Sequence, residues 1–305
     1  MKHNALSLLC LAAPLSLSLH ADEAALDTQT VTADFRNTDV QQIPEAVTVV
    51  GQAQMEARSA EHLEQVLSFA PNVNFASGAA RGRYFQIRGI GERSQFVDPV
   101  NPSVGVLIDG IDMTGLGAAA TLFDVQQVEI LRGPQGTRFG ANALAGMINI
   151  TSAAPTKDVS GYVAAKAGNY ASYGLGGAVS GSLSDSLQAR IAVHGFESDG
   201  YMENDFLNKD DTQNYDEKIA RAKFSWQPNA SGDVTLTMLY ADIDNGYDAF
   251  TFDNSRHTLS DEPGKDSQDT SAFSLAWNQD INSALRFEST ISASNSSAEY
   301  SYDED

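Results

Sequence analysis

Seven stretches in the second half of this 305-residue chain alternate apolar and polar side chains with a period of two. Leu187, Ala189, Ile191 and Val193 are interleaved by Gln188, Arg190 and His194. Ala220, Ala222, Phe224 and Trp226 alternate with Lys223, Ser225 and Gln227, and Val234, Leu236, Met238 and Tyr240 repeat the pattern. Such a period fits only strands with one greasy and one wet face. The stretches lie near 158–168, 172–182, 187–198, 217–227, 233–243, 269–279 and 284–295. Each has about the ten residues that a tilted strand needs to cross a bilayer. Tyr162, Tyr201, Trp226, Tyr240 and Trp277 suit interfacial belts. The connections at 184–185, 228–231 and 280–283 are tight, whereas 199–216 and 244–268 are long. Membrane barrels show this asymmetry of short and long ends. A soluble β-sandwich would share the alternation without requiring the asymmetry.

Composition narrows the function classes. The net charge is −21 and the pI near 4.4, which removes the basic footprint that nucleic-acid binding requires. Past the start no apolar run reaches the length of a membrane helix, which leaves a β-barrel open. Residues 1–21 read as a secretory signal: Lys2 and His3, an apolar run from Ala5 to Leu19, then Ala21 before Asp22. Cys10 leaves with that segment, so no disulfide or cysteine–metal site is expected. The histidines at 3, 20, 62, 194 and 257 lack ligand spacing, so no metal site is expected, and no nucleophile–base constellation suggests an enzyme.

The first half mixes helix and strand. Ser59-Ala60-Glu61 opens a short amphipathic helix with Leu63, Val66 and Leu67 on one face, stopped by Pro71. Strands are expected at Val47–Val50, Phe85–Arg88, Val104–Ile108, Val128–Leu131 and Met147–Thr151. The fold expected is an α+β plug-like domain followed by antiparallel transmembrane β-barrel strands.

A family resemblance rests on motifs in this order: Ile43-Pro44-Glu45-Ala46-Val47-Thr48-Val49-Val50, Leu67-Ser68-Phe69-Ala70-Pro71-Asn72-Val73, Gln86-Ile87-Arg88-Gly89-Ile90-Gly91, Val106-Leu107-Ile108-Asp109-Gly110-Ile111, Val128-Glu129-Ile130-Leu131-Arg132-Gly133-Pro134-Gln135-Gly136, and Ile148-Asn149-Ile150-Thr151. The chain resembles a TonB-dependent outer-membrane receptor over about residues 27 to 156. The resemblance implies a plug inside a barrel of about 22 strands, located in the bacterial outer membrane. It implies active uptake of a scarce ligand, most often a ferric siderophore, driven by the TonB complex. The iron chelate would be cargo, and no cofactor is implied. Haem, cobalamin or a carbohydrate remain open as ligands, and a passive barrel pore with a plug-like domain is the alternative. The division expected is signal 1–21, an extension with the TonB box 22–35, plug 36–157 and barrel 158–305.

The resemblance also assigns residues. Asp27, Thr28, Gln29, Thr30 and Val31 form the candidate TonB box, extended and β-prone, suited to add to a partner's sheet edge. Arg88 and Arg132 would pair with carboxylates on the barrel's inner wall, or else form ion pairs within the plug. Arg81, Arg83, Tyr84, Arg93, Gln95 and Phe96 are candidate contacts for an anionic chelate. The glycines around Arg132 are not a phosphate loop, because no Gly-Lys-Ser/Thr follows. Residues 242–248 place their glycine one position early for a calcium loop. Acidic loop residues, Asp199, Glu203, Asp205, Asp210, Asp211 and Asp216 in one and Asp253, Asp261, Glu262 and Asp266 in the other, could bridge through divalent cations to lipopolysaccharide, or stay hydrated. Seven strands cannot close a bacterial barrel, so the expectation is an N-terminal piece of a longer receptor.

Overall fold

The computed structural model describes residues 30–31, 38–39, 42–77, 80–94, 102–139 and 141–303. Strands β1 (Thr30–Val31) and β2 (Thr38–Asp39) pair antiparallel beside the plug. The plug proper is built on β3 (Ala46–Gly51), β6 (Val104–Ile108), β7 (Ile111–Asp112), β8 (Val125–Arg132) and β9 (Gly146–Ser152), in the order β3-β8-β9-β6-β7. Between them, β4 (Val73–Ala76) and β5 (Tyr84–Ile87) form a separate hairpin. The central strands read as nearly unbroken apolar runs because both faces are covered: Val128, Ile130, Ile148 and Ile150 are fully buried.

The helix expected from Ser59 onwards does not form. Leu63–Gln65 and Leu67–Phe69 are two 3₁₀ turns instead. Their backbone is committed elsewhere: Leu63 N–H donates to the Ala120 carbonyl (3.1 Å) and Leu122 N–H to the Glu61 carbonyl (2.8 Å). A segment stitched sideways at its start cannot propagate an α ladder. The face chosen is still the expected one, since Leu63, Val66 and Leu67 are buried. The α-helices among the described residues are α1 (Gln52–Ala57), which buries only Met55, and α2 (Gly136–Phe139).

The second half is one seven-stranded antiparallel sheet. Its members are β10 (Ser160–Ala167), β11 (Tyr173–Ser184), β12 (Leu187–Ser198), β14 (Tyr215–Asn229), β15 (Gly232–Tyr247), β17 (Gly264–Asn282) and β18 (Leu285–Tyr300). The two long connections touch through β13 (Glu203–Asn204) and β16 (His257–Thr258), a short parallel pair. Strands β15, β17 and β18 run further than the alternation suggested. At about 3.3 Å per residue the 19 residues of β17 extend roughly 60 Å, about twice the apolar thickness of a bilayer. Their long-loop ends carry polar residues on both faces, so hydropathy fades where the strand continues.

The two faces of the sheet are inverted relative to a soluble protein. Leu175, Val179, Ile191, Val193, Met238, Phe273 and Leu275 point away from the plug and are exposed. Glu217, Arg221, Lys223, Asn245, Asp266 and Gln268 face the plug and are buried. Trp226 and Trp277 sit in one row across β14, β15 and β17, each registered with Val234, at the short-turn end. Among the described residues no helix is long and apolar enough to cross a membrane. The crossing elements are strands.

The plug presses against β11 and β12 through Phe123, which stacks on His194 with ring centroids 4.6 Å apart. Gly176 makes room for it, since a Cβ there would lie 2.6 Å from the Phe123 ring. Replacing Gly176 by valine therefore forces Phe123 from its seat, at a cost of about 1–3 kcal/mol in plug docking. Limited trypsin digestion should cut the plug of this variant faster than that of the wild type. Equal protection would contradict the packing described.

Candidate functional site

The seam between plug and wall concentrates most of the buried charge. At the long-loop end, Arg81 leaves the plug and reaches β14. Its Nε donates to Glu217 Oε1 at 2.6 Å and its Nη2 to Oε2 at 2.8 Å, a bidentate pair. Its Nη1 lies 3.4 Å from Glu64 Oε1, and its guanidinium covers the Tyr215 ring at 4.6 Å. Asn245 donates to Glu217 at 2.9 Å. His62, fully buried, contacts Glu64 through Nδ1. Beside this group, Asp266 of β17 accepts the backbone N–H groups of Ala80 (2.8 Å) and Arg81 (3.3 Å) and pairs with Arg83. The segment 80–83 is thus gripped by side chains from two barrel strands.

Burial pushes the Glu64 carboxyl upward, but His62 and Arg81 outweigh it and hold the group at about 2, below its ordinary 4.5. For Arg81 burial works against the charge, yet Glu217 and Glu64 raise it above its ordinary value. Both groups stay ionised at any physiological pH, so the latch is a permanent charge array.

A second contact group lies nearer the short-turn end. Lys223 Nζ donates to Asp109 Oδ1 at 2.8 Å and to the Ser152 carbonyl at 3.0 Å. Burial raises the Asp109 carboxyl and Lys223 more than compensates, leaving it below the usual carboxylate value. Arg221 donates to the plug carbonyls of Phe123 (2.7 Å) and Thr121 (2.8 Å). Arg190 pairs with Asp124, its Nε at 2.8 Å from Oδ2. Lys166, at the sheet edge, pairs with Glu61.

The sequence-assigned residues fall as follows. Asp27, Thr28, Gln29, Gln95 and Phe96 lie outside the described residues. Thr30 and Val31 do not hang free: Val31 is fully buried with Val49, Leu131, Ala143 and Met147. Arg81 and Arg83, expected at the ligand, are instead committed to wall carboxylates, because a guanidinium this deep needs an opposite charge. Arg93 is exposed and Tyr84 half-buried. Arg132 donates to the Pro71 carbonyl at 3.2 Å, and Arg88 is exposed. Neither forms an ion pair with the seven strands among the described residues. Asp266, read as a loop carboxylate that could face lipopolysaccharide, lies on the inner wall because β17 begins at Gly264.

Several seam residues carried no assigned role in the sequence: Glu64, Glu217, Asp109, Asp124, Arg190 and Lys223. Inward parity on the strands was the available signal for Glu217, Arg190 and Lys223. Phe250 and Phe252, exposed and edge-to-face at 5.2 Å in the second long connection, were also missed. Among the described residues no cluster could hold a metal ion.

Truncating Arg81 to alanine strands Glu217 in the seam and should cost about 3–5 kcal/mol of plug docking. The Arg81→Ala, Glu217→Gln double variant should recover part of that loss, which a double-mutant cycle on thermal unfolding in detergent measures. Additive losses would show that the pair is not coupled. Because the folded-state value of Glu64 is depressed, its contribution is present above about pH 4.5 and disappears as pH falls towards 2. Glu64→Gln should flatten that part of the melting-temperature profile, and an unchanged acid limb would contradict the assignment.

Residues 39–147 match the family model described as the TonB-dependent receptor plug domain. The chain is 27% identical over 210 residues to the pesticin receptor of Yersinia enterocolitica, covering 68% of this chain and 30% of that one. It is 27% identical over 188 residues to the vitamin B12 transporter BtuB of Photobacterium profundum, covering 59% and 30%. The chain thus spans about 30% of the length of these relatives. Its fold superposes on the ferric yersiniabactin uptake receptor FyuA of Yersinia pestis with a TM-score of 0.71, at 22% identity over 84% of this chain and 42% of that one. The ferric-catecholate import receptor Fiu of Escherichia coli also gives 0.71, at 20% identity over 90% and 42%. Residues 39–147 thus form a TonB-dependent receptor plug domain, docked on the polar face of an antiparallel wall that shares the fold of the receptor barrels.

Proposed function

We propose that the receptor bearing this chain takes up a scarce ligand, a ferric siderophore, across the outer membrane, pulled by the TonB complex through residues 27–31. The observation that supports this most is the position of Val31. The end of the candidate box is packed into the plug's second apolar cluster beside β3, β8 and β9, and Gln127 of β8 donates to the Thr30 carbonyl at 3.3 Å. A pull on this segment would therefore load the plug sheet directly rather than take up slack.

The siderophore assignment follows the likeness to receptors whose names carry iron chelates, the ferrichrome transporter of Escherichia coli among them, at 24% identity over 72% of this chain and 28% of that one. The chemistry open to such a ligand at the long-loop end is Arg93 with Tyr84 and the Phe250–Phe252 pair, cation and aromatic surface together. Arg81 and Arg83 would act behind this surface, as the charges that tie the ligand-facing segment to the wall. Exposed carboxylates in the outer connections, such as Asp210 and Asp211, are the groups available for cation bridges to lipopolysaccharide.

Deleting residues 27–31 should abolish energised uptake of radioactive iron chelates in iron-starved cells while surface binding persists. Unchanged uptake would favour the passive pore. Uptake of cobalamin, haem or a carbohydrate in place of the iron chelate would leave the energy coupling standing and reassign the cargo.

A further inference from the structure

The seam is not sealed evenly. At the short-turn end a cavity of about 380 Å³ separates the β6–β7 turn from β14, β15, β17 and β18. The lining sets Asp109, Lys223, Ser274 and Thr290 beside Leu107 and Phe139, so hydroxyls and one balanced charge pair sit within a largely apolar surface. At about 30 Å³ per water it holds roughly a dozen waters. A second cavity, of about 290 Å³, lies where the plug meets β10 at Tyr162, Ala164 and Lys166, and between the two the seam is filled by Phe123 against His194 and by Arg221 on the plug carbonyls.

The plug element facing this cavity lies at the edge of its sheet. Strand β7 has two residues and forms the edge of the plug sheet, so it can leave without breaking the central pairs. Its turn, Asp109-Gly110, is left-handed at both positions, with φ of 50° and 80°, the tight hairpin geometry in which the pair moves as a unit. Two wall side chains hold this turn. Lys223 reaches Asp109 Oδ1, and Ser274 Oγ donates to the Asp109 carbonyl at 2.7 Å. The second carboxylate oxygen, Asp109 Oδ2, is buried with no hydrogen-bond partner among the described residues.

We propose that the plug opens first at this cavity, on the side opposite the ligand-facing loops, where the β6–β7 turn swings off the wall, and that Lys223 and Ser274 are the contacts that keep it shut. The lining sets the hydroxyls of Thr151, Thr237, Ser274 and Thr290 beside the apolar surface of Leu107, Phe139 and Ala276, so it suits a cargo with both polar and apolar parts. The inference rests on the import reading and locates the opening within it.

The test needs no ligand. The receptor with a closed barrel is placed in planar bilayers, with potassium chloride as the conducting probe. The wild type should be silent. Lys223→Ala with Ser274→Ala should give discrete channel openings, because the turn loses both anchors. A cysteine at Gly110 would place its Cβ 3.3 Å from the Thr290 Cγ2, within reach of a disulfide to a cysteine at 290. Adding Gly110→Cys and Thr290→Cys to the open variant should silence it on oxidation and restore openings with dithiothreitol. Arg190→Gln, which breaks the seam away from the cavity, should stay silent. Heat-shifted mobility on gels reports that each variant remains a folded barrel, and the stapled variant compares both states in one molecule. A folded Lys223→Ala, Ser274→Ala variant that stays silent would overturn the proposal. So would openings that persist under the staple, or an equal channel in Arg190→Gln. The import reading fails separately, if the wild type itself conducts or if uptake survives loss of residues 27–31.

Discussion

Charged side chains on the covered face of a sheet, with leucines and valines on its open face, are stable only between lipid and a polar filling. That inversion governs the whole second half of this chain. Ile191, Val193, Met238 and Leu275 are exposed, while Glu217, Lys223 and Asp266 are buried. In water the outer face would bury itself against any partner available. Without the plug, the inner face would return its carboxylates and ammonium groups to solvent and lose the pairs that define the seam. The plug therefore belongs to the sheet's own energetics: every buried wall charge described here meets a plug charge, a plug carbonyl or a wall amide.

The contacts are placed so that the plug is held firmly and unevenly. Glu217 and Lys223 lie six residues apart on one strand, so the upper and lower latches are separated by roughly 20 Å along the wall. The upper latch is dense, with Arg81, Glu64, His62, Asn245 and Asp266 sharing one network. The lower one rests on Lys223 and Ser274 around a single turn, beside open volume. Desolvated ion pairs of this sort add little net stability compared with apolar packing, but breaking one partner is costly. They suit a plug that must keep one register on the wall.

Much of the fold was legible in the sequence because its main signal, alternation, is what the membrane demands. Lipid facing one side enforces apolar residues at every second position of β11, β12, β14 and β15. Where the strands rise past the lipid, as at the start of β17, no such demand acts and the pattern dissolves. Asp266 was misplaced for that reason. The 3₁₀ turns at 63–69 escaped because their conformation is set by backbone pairing to residues 120–122, a long-range contact with no local trace. The seam was only half visible. Parity marks Arg190, Glu217 and Lys223 as inward, but the plug groups they meet, Asp124, Arg81 and Asp109, are chosen by docking, which periodicity does not encode. Arg81 and Arg83 show the same limit: their charge was evident, and their partners were not.

The account stands or falls on which face of the seven strands meets lipid. Single cysteines carrying a fluorophore at Leu175, Ile191, Met238 and Leu275, and at inward Ala178, Ala192, Leu239 and Ala272, can be tested against quenchers attached to lipid acyl chains. Quenching should be strong at the first four positions and weak at the second four. Equal protection of both sets, in a protein that stays monomeric and folded in water without detergent, would contradict it.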